Sequence, residues 1–501
     1  MRNTVYPPLL LPLVMLIGCG GSSDPSNNNV VAQVFSWQII NLKTVAIEDI
    51  EENCIVFSAS PSDNSQVITA SVANTNYNIL FHNADGSLLD DYTISSSDIA
   101  DSGIVSIDSG LVPTGGYVSL EEVESSLSDQ SNVYMFSVAK SLLSDLVLNV
   151  RLPQTGSDCY LGDDYSTGSV SGTNAVSVLQ EQDVTYYQTS YSHDLVSGHN
   201  ISANIPVLST AVAQRDVLVT AFLSSDNEQN TDLSYFAFID FSQIYDSSQS
   251  NVIISTSLNN AGLAPMFWQK ADNLSIEASS AINIIHSGTS YNWQYLYDDI
   301  DQFTIAADHE LISQWTAVFL GHDTTTGWQF TRFQPIDDSS SIIELALPEV
   351  ASVENMALLQ DCSIGNTPID YCIDLANGFI PDDYGIQRSH IRIQSHNNTR
   401  IMFQTIYGLP SLQQPLLQSS ALQIQPSATA RIEISLMDGA IKQDKLHYFM
   451  SKHLDINTLA ETSEATDFHD VNGYVTHTKQ DEVLYKTMLM TDVTLTQHGI
   501  E

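Results

Sequence analysis

The stretch Tyr77-Asn78-Ile79-Leu80-Phe81-His82-Asn83-Ala84-Asp85-Gly86, which continues to Asp91-Tyr92-Thr93-Ile94, decides the fold. Two runs of strand-forming residues flank an Asp-Gly pair. Asp and Gly tolerate the positive φ that a tight hairpin demands, so the segment predicts a β-hairpin. Downstream stand Gly103-Ile104-Val105-Ser106-Ile107 and Leu111-Val112-Pro113-Thr114-Gly115-Gly116-Tyr117-Val118-Ser119-Leu120. Short runs of Val, Ile, Thr, Tyr and Phe between clusters of Asp, Asn, Gly and Ser continue along the chain, and long helical periodicity is rare. The expectation is an all-β protein.

A repeat emerges when later segments are laid beside this one. Tyr117-Val118-Ser119-Leu120 precedes a polar loop, Val133-Tyr134-Met135-Phe136-Ser137-Val138 and Leu146-Val147-Leu148-Asn149-Val150. The same order recurs in Val219-Thr220-Ala221-Phe222-Leu223, Tyr235-Phe236-Ala237-Phe238-Ile239 and Val252-Ile253-Ile254. It recurs again in Thr316-Ala317-Val318-Phe319-Leu320, Trp328 to Phe333 and Ile342-Ile343-Glu344-Leu345. A weaker fourth copy pairs Ile432-Glu433-Ile434-Ser435-Leu436 with Leu446-His447-Tyr448-Phe449-Met450. A period of about 100 residues fits tandem β-sandwich modules of immunoglobulin size. The rival is a single large β-propeller in which each unit supplies two blades. The order of hairpin and strands over residues 54–152 resembles the immunoglobulin-like repeats of bacterial surface proteins, the prealbumin-like type included. The expected divisions are 33–175, 176–275, 276–385 and 386–501. Each module is expected to bury its own inner faces and to meet its neighbours only through linkers.

The N-terminus carries a different kind of signal. Arg2 is a short positive region, Val5 to Ile17 is apolar, and Leu16-Ile17-Gly18-Cys19 follows. This looks like a bacterial lipobox. The resemblance implies removal of residues 1–18 as a signal peptide and lipidation of Cys19 with a diacylglycerol and an N-acyl chain (palmitate is the expected class), because the apolar run is too short to span a bilayer. Two or more acyl chains hold a protein stably on a membrane. Gly20 follows the cysteine in place of Asp, which in Gram-negative lipoproteins implies the outer membrane, on its periplasmic or cell-surface face. Residues 19–32, rich in Gly, Ser and Asn, read as a flexible lipidated tether.

The chain has 501 residues with 59 acidic and 16 basic side chains, a net charge of −43. Such an acidic protein has no Lys/Arg cluster to neutralise phosphates, which excludes nucleic acid as a partner. Besides Cys19 there are four cysteines: Cys54, Cys159, Cys362 and Cys372. An even number suits an oxidising compartment. Three connectivities are open, and Cys54–Cys159 with Cys362–Cys372 is preferred because each pair lies within one module.

Candidate chemistry is sparse. Asp226, Glu228, Asn230 and Asp232 alternate like the front of a calcium loop, but the turn glycine and the terminal bidentate Glu are missing, so a solvated hairpin loop is the stronger reading. The acidic pairs Asp163-Asp164, Asp298-Asp299, Asp337-Asp338 and Asp382-Asp383 read as turn residues before they read as a glycosidase acid and base. His390 and His396 would share a strand face but stand far apart along it. Tyr186, Tyr187, Tyr191, Tyr291, Trp293, Tyr295 and Tyr297 could stack on sugars, and alternating aromatics more often fill a core. No H-E-x-x-H, G-x-S-x-G or Walker pattern occurs.

The sequence therefore reads as a non-catalytic outer-membrane lipoprotein with a structural or surface-binding role in the cell envelope. It is similar in general type to the lipoproteins that marine and polarly flagellated bacteria carry in envelopes and flagellar sheaths. Expected partners are the membrane, through the lipid, and an envelope protein or glycan. The alternatives are a glycan-binding lipoprotein for polysaccharide uptake and a carbohydrate-active enzyme on a β-scaffold. No cofactor is called for, calcium apart.

Overall fold

The computed structural model describes residues 32–51, 53–60, 63, 65–123, 132–152, 159–162, 175–178, 184, 186–191, 194–198, 205–206, 215–223, 225–226, 229–230, 232–240, 253–256, 258–306, 310–337, 342–350, 356–364, 367–375, 384–394, 400–423, 429–454 and 472–500. Residues 1–31, which hold the expected signal segment, Cys19 and most of the expected tether, lie outside them.

The chain is all-β, and the repeat seen in the sequence is a repeat of strands. Unit 1 comprises β1 (Val34–Ala46), β2 (Ser58–Ala59), β3 (Gln66–Val72), β4 (Tyr77–His82), β5 (Ile94–Ser95), β6 (Ile104–Asp108), β7 (Tyr117–Val123), β8 (Val133–Ala139) and β9 (Leu146–Asn149). Strand β1 is flanked by β6, antiparallel, and β9, parallel. A second sheet runs β5-β4-β7-β8. Period-2 alternation sends Val118 and Leu120 of β7 toward the first sheet, where they meet Trp37, Ile39, Ile107 and Leu148 in one core.

Unit 2 has β10 (Ala175–Val178), β11 (Tyr186–Tyr191), β12 (Asp194–Gly198), β13 (Ile205–Pro206), β14 (Val217–Phe222), β15 (Ser225–Asp226), β16 (Gln229–Asn230), β17 (Leu233–Ile239) and β18 (Ile253–Thr256). Strand β10 lies between β13, antiparallel, and β18, parallel, beside a sheet β12-β11-β14-β17. Unit 3 has β19 (Leu263–Lys270), β20 (Leu274–Ile276), β21 (Ala281–His286), β22 (Thr289–Tyr295), β23 (Gln302–Ala306), β24 (Gln314–Asp323), β25 (Gln329–Pro335) and β26 (Ile342–Leu345). Strand β19 lies between β23, antiparallel, and β26, parallel, beside β22-β21-β24-β25. The same sandwich thus recurs three times. Strands β19 and β20 begin before residue 276 yet pair with the strands of unit 3. None of the sheets closes into a propeller or barrel among the described residues.

Unit 4 is modified. It contains β27 (Met356–Ile364), β28 (Thr367–Leu375), β29 (Tyr384–Gln394), β30 (Ile401–Gly408), β31 (Gln413–Pro415), β32 (Thr429–Asp438), β33 (Gly473–Tyr474) and β34 (Val493–Ile500). Its four-stranded sheet, β30-β29-β32-β34, repeats the common order. Between β32 and β34 the chain inserts helices α1 (Gln443–Ser451) and α2 (Thr478–Leu489). Leu446 to Met450, expected as the second strand of the fourth copy, lies in α1. Leu446-His447-Tyr448-Phe449-Met450 is too short and too uniformly large to show a helix period, so sequence alone misassigns it. The partner of β32 is β34. In α2, the His477 ring accepts from the Gln480 N–H at 3.4 Å, and Leu484, Met488 and Leu489 form the buried face. Leu446, Phe449, Leu484 and Met488 cover one face of the unit 4 sheet, beside Tyr407 and Met437. The hairpin β27–β28 covers the other, with Ile373 and Leu375 against Ile391, Ile393 and Ile434.

The units are not separate beads. Strand β25 of unit 3 pairs antiparallel with β34, and β30 pairs parallel with β8 of unit 1. Three four-stranded sheets fuse edge to edge, and with β20 they form one thirteen-stranded sheet. Unit 2 docks on unit 3 through shared aromatic packing, with Phe236 and Trp293 rings 5.0 Å apart, and meets unit 4 through the Arg215–Glu482 ion pair to α2. The expectation of linker-only junctions is therefore corrected. Edge pairing is made by backbone N–H and C=O groups, which every strand carries, so it leaves no mark on residue choice.

Both preferred cysteine pairs lie at disulfide distance, Cys54–Cys159 with Cα atoms 5.6 Å apart and Cys362–Cys372 at 6.1 Å. The first clips residues 159–161 onto the edge of β3, where Ser71 bridges Cys159.

Fusion has a measurable consequence for residues 33–175. Cut from the chain, that segment exposes the edge of β8 and strips the cover from Leu80, Tyr117 and Met135. We expect the isolated fragment to aggregate or to melt without cooperativity by circular dichroism; a sharp, reversible transition would show that unit 1 folds independently of unit 4.

Candidate functional site

The Asp85-Gly86 hairpin also forms one wall of a cleft between units 1 and 4. Gly86 has φ +83°, and a Cβ there would stand 2.6 Å from the Leu416 carbonyl oxygen of unit 4, so glycine serves both the turn and the docking. Gln418 N–H donates to the Gly86 carbonyl at 2.9 Å, and Leu88 N–H donates to Gln418 Oε1 at 3.3 Å. Between this hairpin, the start of β28 and the segment 416–423 lies a cleft of about 730 Å³. Asp85, Asp90, Asp370, Tyr371, Gln418 and Gln423 line it, with Ser419 and Ser420. Tyr371 is half-buried, and its phenol is raised above the usual range by burial first and then by the charges of Asp370 and Asp361.

Beneath the cleft lies Glu121, fully buried on β7. Its carboxylate accepts from Ser419 Oγ at 2.5 Å, from Ser420 N–H at 2.9 Å and from Ser420 Oγ. A buried carboxylate is tolerable only when donors replace its hydration. Here the donors come from another unit, so Glu121 ties the cleft to unit 1. On the same face His82 Nε2 and Ser119 Oγ lie 2.8 Å apart, and Ser119 and Ser137 share a second hydrogen bond of 2.8 Å. Burial holds His82 down to about 4, so its imidazole is neutral at pH 7 and this buried trio is a structural network, closed to substrate.

Glu122 points to the opposite face and is equally buried. The Arg151 and Leu152 N–H groups donate to it at 2.9 and 3.2 Å, and the Arg151 guanidinium stands 4.4 Å over the Tyr134 ring. Desolvation outweighs these donors and raises Glu122 to about 7.

The residues singled out in the sequence lie elsewhere. Asp226 and Asn230 fall on the small hairpin β15–β16, opposite Gln229 and Ser225 respectively, and Asp232 is exposed. Glu228 lies outside the described residues. Among the described residues the one grouping of three candidate metal ligands is Glu51 with Cys54 and Cys159, whose sulfurs bond to each other. Asp298 accepts from Ile276 N–H and pairs with Lys270, a turn role, and Asp299 is exposed. Asp337 is exposed, while Asp163, Asp164, Asp338, Asp382 and Asp383 lie outside the described residues. His390 is buried, 2.8 Å from Thr405 Oγ1; His396 lies outside the described residues. Tyr186, Tyr187, Tyr291 and Trp293 are buried in the core, Tyr295 and Tyr297 are half-buried, and the side chain of Tyr191 lies outside the described residues.

Sequence reasoning passed over Glu121, Tyr371 and Ser419. One signal was present: Glu121-Glu122 interrupts the apolar strand Tyr117–Val123, placing one carboxylate on each face. The chain matches no known family model, and neither curated proteins nor solved structures contain a significant relative.

The raised Glu122 carries a sign. Its folded value exceeds the unfolded one, so the stability it contributes is complete below about pH 4.5 and is lost as pH rises through about 7. We expect Glu122→Gln to remove a loss of about 3 kcal/mol across that window. Chemical denaturation of both proteins at pH 5 and pH 8 measures it; an unchanged pH slope in the variant would contradict the assignment.

Proposed function

We propose that the chain is a lipoprotein of the outer membrane, held through acyl chains on Cys19, with a structural or surface-binding role in the cell envelope. The observation that carries this reading is Leu16-Ile17-Gly18-Cys19 behind an apolar segment and ahead of a Gly/Ser/Asn tether. Two cysteine pairs at disulfide distance support an oxidising compartment. A sheet that continues through three units supports a stiff body, suited to presenting a surface away from the bilayer. The flagellar-sheath type is one form of this role.

A second reading is glycan binding. It is favoured by one feature, the cleft between units 1 and 4. There the half-buried Tyr371 offers an aromatic face, and Asp85, Asp90, Asp370 and two glutamines offer hydrogen bonds to hydroxyls.

The anchor is tested by Cys19→Ser in a Gram-negative host fed a labelled fatty acid. The wild type should take up label and sediment with outer membranes, and the variant should lose the label and stay soluble after cell disruption. Label or outer-membrane retention in the variant would overturn the lipoprotein reading.

A further inference from the structure

A second cavity, of about 240 Å³, lies over the seam where β25 meets β34, beneath the end of α1. Two of its walls carry opposite charges: Glu277, just after β20, and Lys452, just after α1. They form no ion pair with each other, and Lys452 has no carboxylate partner among the described residues; its ammonium donates to Thr331 Oγ1 at 2.9 Å. The remaining lining is part polar, with Gln329 and Gln497, and part apolar, with Phe330 and Leu495.

We propose that this cavity binds a small zwitterion, an α-amino acid or a dipeptide, with its carboxylate on Lys452 and its ammonium on Glu277. A simple anion placed there meets repulsion from Glu277, and a simple cation meets it from Lys452. A ligand with opposite charges at its two ends satisfies both walls, and the apolar lining accommodates an aliphatic body. The volume is below that of a drug-sized pocket, which restricts the ligand to metabolite size. Lys452 and Glu277 are both exposed at the mouth of the cavity, so both charges are open to a ligand entering from solvent. The site is independent of the cleft between units 1 and 4.

Calorimetric titration of the mature chain tests this with leucine and leucyl-leucine as probes, and with N-acetyl-leucine and leucinamide as versions blocked at one end. At least one zwitterion should bind, the tighter of the two fixing the ligand's length. Blocking either end should weaken binding at least about tenfold, the effect of one charged hydrogen bond. Lys452→Met and Glu277→Gln should each lose at least about tenfold with thermal midpoints unchanged. The proposal is overturned by absence of binding up to about 10 mM, by equal binding of the blocked compounds, or by full binding in both variants.

Discussion

Two backbone ladders join units 1, 3 and 4 into one sheet. One joins Gln329–Phe333 to Val493–Gln497, and the other joins Met402–Tyr407 to Val133–Val138. A hydrogen bond contributes about 1 kcal/mol net, so each seam supplies several. That is already a sizeable share of the 5–15 kcal/mol that separates a folded domain from its unfolded state. The cores on either face add to it. Phe136 and Tyr407 of units 1 and 4 lie with ring centroids 5.5 Å apart on one face, and Leu80 and Ile434 share a cluster on the other. A protein that is modular in sequence is therefore continuous in structure.

The fusion also explains where the polar residues are. A strand face that would be solvent-exposed in a free sandwich is covered here, so the groups on it need internal partners. Glu121, His82, Ser119 and Ser137 lie on such a face. Their partners come partly from unit 4, whose segment 416–423 caps Glu121 and grips the Asp85-Gly86 turn. The cleft between units 1 and 4 follows from the same docking, in which the hairpin and the segment touch at Gly86. The helices α1 and α2 do for unit 4 what a second sheet does for units 1 to 3.

What was legible in the sequence is what side-chain period controls. Alternation in Val118, Leu120 and their counterparts near Val219 and Val318 marked the repeat, and the structure places all three copies on equivalent strands. Asp85-Gly86 marked its turn because only a few residues accept positive φ. The cysteine pairing followed from keeping each pair within one unit. What was not legible is what the backbone controls, namely which edges join. The helical insertion escaped because Leu446 to Met450 is a short run of large side chains that reads as a strand as easily as a helix. The cleft escaped because Asp85, Tyr371 and Ser419 lie far apart in the chain and meet only after units 1 and 4 have fused. The position of the Glu121-Glu122 pair inside a strand was the one visible hint that both faces of that strand are buried.

Native-state hydrogen exchange on the purified protein tests the continuous sheet most directly. Amides that cross the two seams, those of β8 with β30 and those of β25 with β34, should exchange only through the same global opening as amides within a unit, such as those of β7 with β8. Equal opening free energies at the seams and inside the units would establish one cooperative body. Seam amides that exchange through a much smaller opening, while the ladders inside each unit stay protected, would show that the units part and that the fused sheet is not what holds the fold.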